Sequence, residues 1–194
     1  MIYNRVMSSL DSNKALTIGI DFGGVLSSND TKNISELKDG ESGHINVSID
    51  IEGALEGLKS LKNSGHKLVL ISFCGKRRAI ETAESIKKCA PGLFDKFYFT
   101  KKKDYKKHIC VHAGVDIFID DTYSILADIA NNTIQRHLIH FTGNPGFEQQ
   151  ENIYIPNITT ISSWPEIVEF CSIINPHHIP VEDKNINKWI YTLE

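Results

Sequence analysis

Several polar residues stand where apolar runs stop. Asp21 closes the β-branched run 15–20 and is followed at once by Phe22, Gly23 and Gly24. Ser72 closes the run 66–71, and a lysine cluster (Lys101, Lys102, Lys103, Lys106, Lys107) follows Phe97-Tyr98-Phe99. Asp120 and Asp121 close the run 115–119. Alone, an aspartate before two glycines is a turn residue whose carboxylate caps nearby backbone. Three carboxylates, a hydroxyl and an ammonium delivered to one place would be something else. Anions within ~5 Å of one another repel by several kcal/mol at intermediate dielectric, so such a set persists only around a cation. Oxygen ligands with water completing the shell suit Mg²⁺. A Mg²⁺ ion, a carboxylate and a Ser–Lys pair make a receptor for a phosphoryl group, and carboxylates can act on one as covalent nucleophiles.

These residues meet only if apolar runs alternate with helices. Residues 50–64 place Ile51, Ala54, Leu55, Leu58 and Leu61 on one stripe, with Asp50 as the expected N-cap and Gly65 as the stop. A strand at 66–71 follows, then a helix marked by Ala79, Ile80, Ala83 and Ile86 that ends at Pro91-Gly92. Further strands are expected at 97–99, 115–119 and 136–141, with helices at about 104–113 and around Ile125, Leu126 and Ile129. Ser163-Trp164-Pro165-Glu166 has the pattern of a capping box opening a last helix. The alternation predicts an α/β, Rossmann-like three-layer sandwich: a mainly parallel sheet of five or more strands with helices on both faces. Ligands of such a sheet bind beyond the carboxyl ends of its strands, near the topological switch point. The stretches 28–49 and 143–162 carry no clear pattern.

Composition narrows the class. At 194 residues, 41% hydrophobic and 23% charged, the chain has the profile of one globular domain with a substantial core. A net charge of −3 makes no electrostatic case for nucleic acid or an anionic membrane. No apolar segment approaches the ~20 residues of a membrane helix, and the first residues lack the apolar stretch of a secretory signal. Cys74, Cys89, Cys110 and Cys171 show no paired close spacing, so they are expected as core thiols of a cytoplasmic protein. His108 and His112 stand four apart on a helix without the intervening glutamate of a zinc protease, and are expected as a surface pair.

The order Asp-x-x-Gly, strand-Ser, Lys, strand-Asp-Asp resembles the haloacid dehalogenase (HAD) superfamily of phosphohydrolases. "DFGGVL" is similar to its first motif, "LVLIS" to the second, a lysine of "KKDYKKHIC" to the third and "DIFIDD" to the fourth, over about residues 15–142. The resemblance implies Asp21 as a nucleophile forming an aspartyl-phosphate, and Ser72 as a hydrogen-bond donor to the transferring phosphoryl oxygens. It implies a lysine that neutralises phosphate and aspartate together, Lys106 preferred over Lys103. Mg²⁺ would be held by Asp21, the Gly23 carbonyl and Asp121, with Asp120 a further ligand or a supporting partner.

Two departures qualify the resemblance. The usual phosphatase of this family has a second aspartate two residues after the nucleophile, as acid and then base; here that position is Gly23. The intervals between motifs leave only 26–49 for a flap or minimal cap, within one unit 1–194 whose core is about 15–173 and whose tail is 175–194. Nearly capless sites in the family tend to serve large phosphorylated substrates or partners, including macromolecules. The expected function is therefore a Mg²⁺-dependent phosphatase acting on a phosphate monoester. The alternative is a catalytically weak or inactive relative that binds a phosphorylated ligand or protein. His44, in the 28–49 stretch, is a candidate substitute acid.

Overall fold

The computed structural model describes residues 15–28, 47–132, 136–144, 154–175, 181–191 and 193. Six parallel strands form one sheet: β1 (Thr17–Ile20), β2 (Lys67–Phe73), β3 (Lys96–Thr100), β4 (Ile117–Asp120), β5 (His137–Phe141) and β6 (Ile158–Ile161). Their spatial order is β3-β2-β1-β4-β5-β6. The chain works outward from β1 to β3, then returns to β1's other side and works outward again. The switch point is therefore the β1–β4 pair, in the register Ile18 to Ile117 and Ile20 to Ile119.

Among the described residues five α-helices cover the sheet: α1 (Ala54–Asn63), α2 (Lys76–Cys89), α3 (Lys106–His112), α4 (Tyr123–Asn132) and α5 (Trp164–Ile173). Strand alternation divides the core between the two faces. Ile18, Ile20, Leu68, Leu70, Ile117 and Ile119 pack with α1, α2 and α5 through Leu58, Ala83, Trp164 and Ile167. Val69, Ile71, Phe118 and Leu138 pack on the other face with α3 and α4 through Ile109, Leu126 and Ile129. This is the expected three-layer sandwich, with one strand more than the five identified from sequence.

Local details differ from expectation in instructive ways. The first helix begins at Ala54 after Gly53, at φ 74°, rather than at Asp50. Asp50 instead accepts the Ser28 N–H at 2.6 Å, while its own N–H reaches the Leu26 carbonyl at 3.0 Å. The two sides of the 29–46 stretch are thus pinned at one point, with Val47 buried beside it. The third helix is split into a 3-10 turn, Lys103–Tyr105, and α3 proper. Of the cysteines only Cys110 and Cys171 are core thiols; Cys74 is half-buried and Cys89 exposed.

His108 and His112 are not an idle surface pair. The His108 ring stacks on Trp189 with centroids 4.6 Å apart, and His112 Nδ1 accepts the Asp183 N–H at 3.2 Å. These contacts dock the 181–191 segment along the outer edge of β3, where Ile190 bridges Thr100 and the Tyr191 N–H meets the Phe99 carbonyl. An edge strand's open backbone groups are covered in this way.

Trp164 ties the far helix to the loop after β1. Ser163 caps α5, its Oγ accepting the Glu166 N–H, and so fixes the indole in the first turn. The fully buried ring lies over Gly57, where an added Cβ would fall 2.6 Å from it, and Nε1 donates to the Val25 carbonyl at 3.1 Å. Trp164→Phe keeps the apolar bulk and orphans that carbonyl, so urea unfolding should show a loss of roughly 1–3 kcal/mol. An unchanged midpoint would mean the bond does not anchor the loop.

Candidate active site

The carboxyl ends of β1 and β4 lie side by side, so Asp21, Asp120 and Asp121 arrive together. One carboxylate oxygen from each lies within 4.8 Å of the others. The backbone enforces the approach: the Asp21 N–H donates to the Ile119 carbonyl at 2.9 Å, continuing the ladder one residue past the strand. Beyond Asp21 the chain turns tightly, with Leu26 and Ser27 N–H groups both on the Phe22 carbonyl and the Gly24 N–H on that of Ser27. Gly24 has φ 75°, and a Cβ there would collide with the Asp121 carboxylate. Only glycine fits this position, for backbone and for space.

Lys106 is the first residue of α3, yet its side chain is buried, 1% exposed. Its Nζ lies 2.7 Å from Asp120 Oδ2 and 2.9 Å from Asp21 Oδ2, and 5.7 Å above the Phe118 ring. Burial alone would drive the ammonium to release its proton; the charges of Asp120 and Asp21 outweigh this and raise its pKa. Asp120 is equally buried, with Oδ1 on the Thr122 N–H at 2.9 Å and Oδ2 on Lys106. Burial raises its pKa, and its ion pair with Lys106 opposes the rise. Asp21 Oδ1 accepts the Phe22 N–H at 2.7 Å.

Asp121 stands nearer the opening. Burial, reinforced by the charge of Asp21, pushes its carboxyl up to about 6. Behind it, His140 Nε2 lies 3.2 Å from the Asp121 carbonyl, with Tyr123 against the imidazole edge. The structure therefore gathers Asp21, Asp120, Asp121 and Lys106 into one cluster, and three carboxylates with one ammonium leave two negative charges. That residue of charge and the all-oxygen donor set fit a hard divalent cation. Asp120 and Asp21 each spend one oxygen on Lys106 and the other on a backbone N–H, that of Thr122 and of Phe22, which leaves Asp121 as the carboxylate that Lys106 does not bond.

The remaining expected residues lie outside this bonded set. Ser72 is buried near the end of β2, on the strand beside β1. Gly23 is exposed, and a Cβ added to it meets nothing within 4 Å. Lys103 is exposed on its 3-10 turn and makes no ion pair with the aspartates among the described residues. His44 lies outside the described residues. Sequence reading missed Thr122 and His140, which steady the β4 loop, and the clash that Gly24 averts. No pattern at sequence level marks a strand histidine for such work, whereas the Gly23-Gly24 pair did signal close approach.

Comparison with solved structures agrees with this architecture: the chain shares the fold of haloacid dehalogenase-like hydrolases. A D,D-heptose bisphosphate phosphatase from B. bronchiseptica, in complex with magnesium and phosphate, superposes with a TM-score of 0.55 at 13% identity. That match covers 80% of this chain and 97% of the phosphatase. A haloacid dehalogenase-like hydrolase from Xanthomonas campestris gives 0.54 at 14% identity, covering 82% and 97%. No protein-family profile and no curated protein matches the chain. No helix among the described residues is long and apolar enough to cross a membrane.

The raised Asp121 carboxyl has a definite sign in stability. Its folded pKa of about 6 exceeds the ordinary 3.8, so between those values the folded state holds more protons than the unfolded one. Stability from this group then falls as pH rises through that window. In chelator, Asp121→Asn should raise the unfolding midpoint at pH 7.5 and do little at pH 5. Equal effects at both pH values would show that the carboxylate is not strained.

Proposed function

We propose that this chain is a HAD-type phosphohydrolase that takes a phosphate monoester through an aspartyl-phosphate on Asp21. The observation that carries the reading is the buried Lys106, bonded at once to Asp21 and Asp120 at the switch point of the sheet. A carboxylate whose companion cation is already in place can receive a phosphoryl dianion without facing it unscreened. The fold shared with solved HAD hydrolases, one of them holding magnesium and phosphate, supports the same reading.

In this reading an Asp21 oxygen attacks phosphorus as the ester P–O bond breaks, and the leaving oxygen departs with the bonding electrons. Lys106 neutralises both nucleophile and transferred group, while Asp120 holds its ammonium in position. The Ser72 hydroxyl donates to a phosphoryl oxygen. Asp21, Asp121 and the Gly23 carbonyl would hold Mg²⁺, which supplies charge neutralisation for the phosphoryl oxygens. Water then cleaves the aspartyl-phosphate. A chain of this design would act in the cytoplasm as one unit, 1–194, on a phosphorylated substrate. The open Gly23 favours one alternative, a weakly catalytic protein that binds a phosphorylated ligand or partner.

Two experiments test these roles. Millimolar Mg²⁺ should raise the melting temperature of the wild type by preferential binding to the folded state, and Asp121→Asn should lose the shift. Asp21→Asn should abolish hydrolysis of aryl phosphates and any beryllofluoride adduct while remaining folded. Lys106→Ala should be comparably damaging and Lys103→Ala mild; the reverse order would transfer the role to Lys103.

Gly23 yields a third test. A positioned acid contributes about 10²–10⁴-fold when the leaving group is a poor one. Without one, kcat/KM across a series of esters should fall steeply as leaving-group pKa rises. Gly23→Asp, which meets no steric obstacle, should flatten the slope. A flat series in the wild type, persisting in His44→Ala, would refute the missing acid.

A further inference from the structure

We propose that the site selects substrates carrying a second anionic group, carboxylate or phosphate, on the leaving-group side, and that Arg78 reads it; the inference rests on the phosphatase reading above. Arg78 lies in the first turn of α2, six residues past Ser72. That helix leaves the carboxyl end of β2, the strand beside β1, so its first turn stands at the same end of the sheet as Asp21.

What sets Arg78 apart is that no hydrogen bond holds its guanidinium among the described residues. The protein has another arginine withdrawn from water, Arg136, whose Nε and Nη2 donate to the Val115 and Cys110 carbonyls at 2.9 and 3.3 Å. That side chain is a structural tie. Arg78 is also half-buried, enough for desolvation to lower its pKa, yet no hydrogen bond or ion pair holds it among the described residues. Its acidic neighbour Glu81 gives Oε1 to Arg77 Nε at 2.9 Å, and its charge favours the Arg78 guanidinium without bonding it. A half-buried guanidinium with no protein acceptor is placed to gain more from an anionic ligand than a fully solvated one.

The surroundings act in the same direction. Lys76, Arg77 and Arg78 open a helix with no acidic residue in its first turn, at the positive end of the helix dipole, where cations are disfavoured. The next loop adds exposed Lys101, Lys102 and Lys103, with Asp104 as the acid beside them, and the two loops are adjacent because Phe73 pairs with Thr100. In a chain of net charge −3 this cationic rim on one side of the opening is a local feature. A guanidinium fork matches either a carboxylate or a phosphate, so the chemistry is shared and the source is left to measurement.

The test compares phenyl phosphate with carboxyphenyl phosphate and phenylene bisphosphate in Mg²⁺, using wild type, Arg78→Gln and Arg78→Lys. The ratio of kcat/KM for each anionic ester to that for phenyl phosphate is the readout, so intrinsic leaving-group differences cancel between variants. Arg78→Gln should lower the ratio about tenfold or more, chiefly through KM, with Arg78→Lys intermediate. The larger drop identifies whether carboxylate or phosphate is preferred. Calorimetric affinities of the same compounds for Asp21→Asn, with and without Arg78→Gln, read recognition without turnover. Arg78-dependent binding with no hydrolysis by the wild type would sustain the recognition and sink the phosphatase reading. Hydrolysis with ratios indifferent to both Arg78 substitutions would do the opposite. Neither binding nor hydrolysis would overturn both.

Discussion

An ammonium with no route to water holds this site together. Removing Lys106 from solvent costs several kcal/mol, recovered only because Asp21 and Asp120 both lie within 3 Å of its nitrogen. The dependence runs both ways, since neither of those carboxylates could sit so deep without the lysine. The three form a unit: each is stable where it is because the other two are. Asp121 stands outside that unit, and burial together with the charge of Asp21 raises its proton affinity, as burial raises that of Asp120. Structure and reactivity are here the same electrostatic balance, seen before and after an anion arrives.

The rest of the fold serves to place that unit. β1 and β4 are adjacent only because the chain reverses its direction of winding between β3 and β4, and reversal at that point sets two strand ends beside a gap. Gly19 on β1 leaves room for the Phe118 ring, which an added Cβ would meet at 2.9 Å, and that ring forms the floor under Lys106. Above the strands, Gly24 yields its side-chain space to Asp121, and Trp164 holds the loop from behind through Val25. Each is a packing detail on its own, and together they fix the separations of three charged groups.

Much of this was legible because parallel strands are buried on both faces and read as apolar runs, so a carboxylate at the end of one is conspicuous. The same logic exposed four strand ends and their order. It failed where burial is partial. β6, with Ile158 and Ile161 buried and Thr159 and Thr160 exposed, lacks the continuous apolar run of an inner strand. Asp50 has the chemistry of a helix cap and was expected to cap, but the Ser28 N–H competes for it and the helix starts behind Gly53. Only the family resemblance preferred Lys106 to Lys103, since neither carries a local mark of burial; Lys103 opens the 3-10 turn and stays exposed, while Lys106 opens the helix that follows and is buried. The histidines of α3 could not be matched with Trp189 and Asp183 because contacts across more than 70 positions leave no local pattern.

The junction at Asp50 has a bearing on how this architecture can diversify. Ser28 and Asp50 are held at hydrogen-bonding distance, so whatever chain lies between them departs from and returns to a single point of the core. Closing a loop on such a point costs entropy that grows only with the logarithm of its length, roughly 0.6 kcal/mol for each doubling. The interval can be lengthened or replaced at little expense to the sheet beneath. Because its roots emerge directly after the Asp21 turn, any such replacement would alter what reaches the aspartates before it altered how they are held. Specificity and stability are thereby assigned to separate stretches of chain, and selection can act on one without first compromising the other.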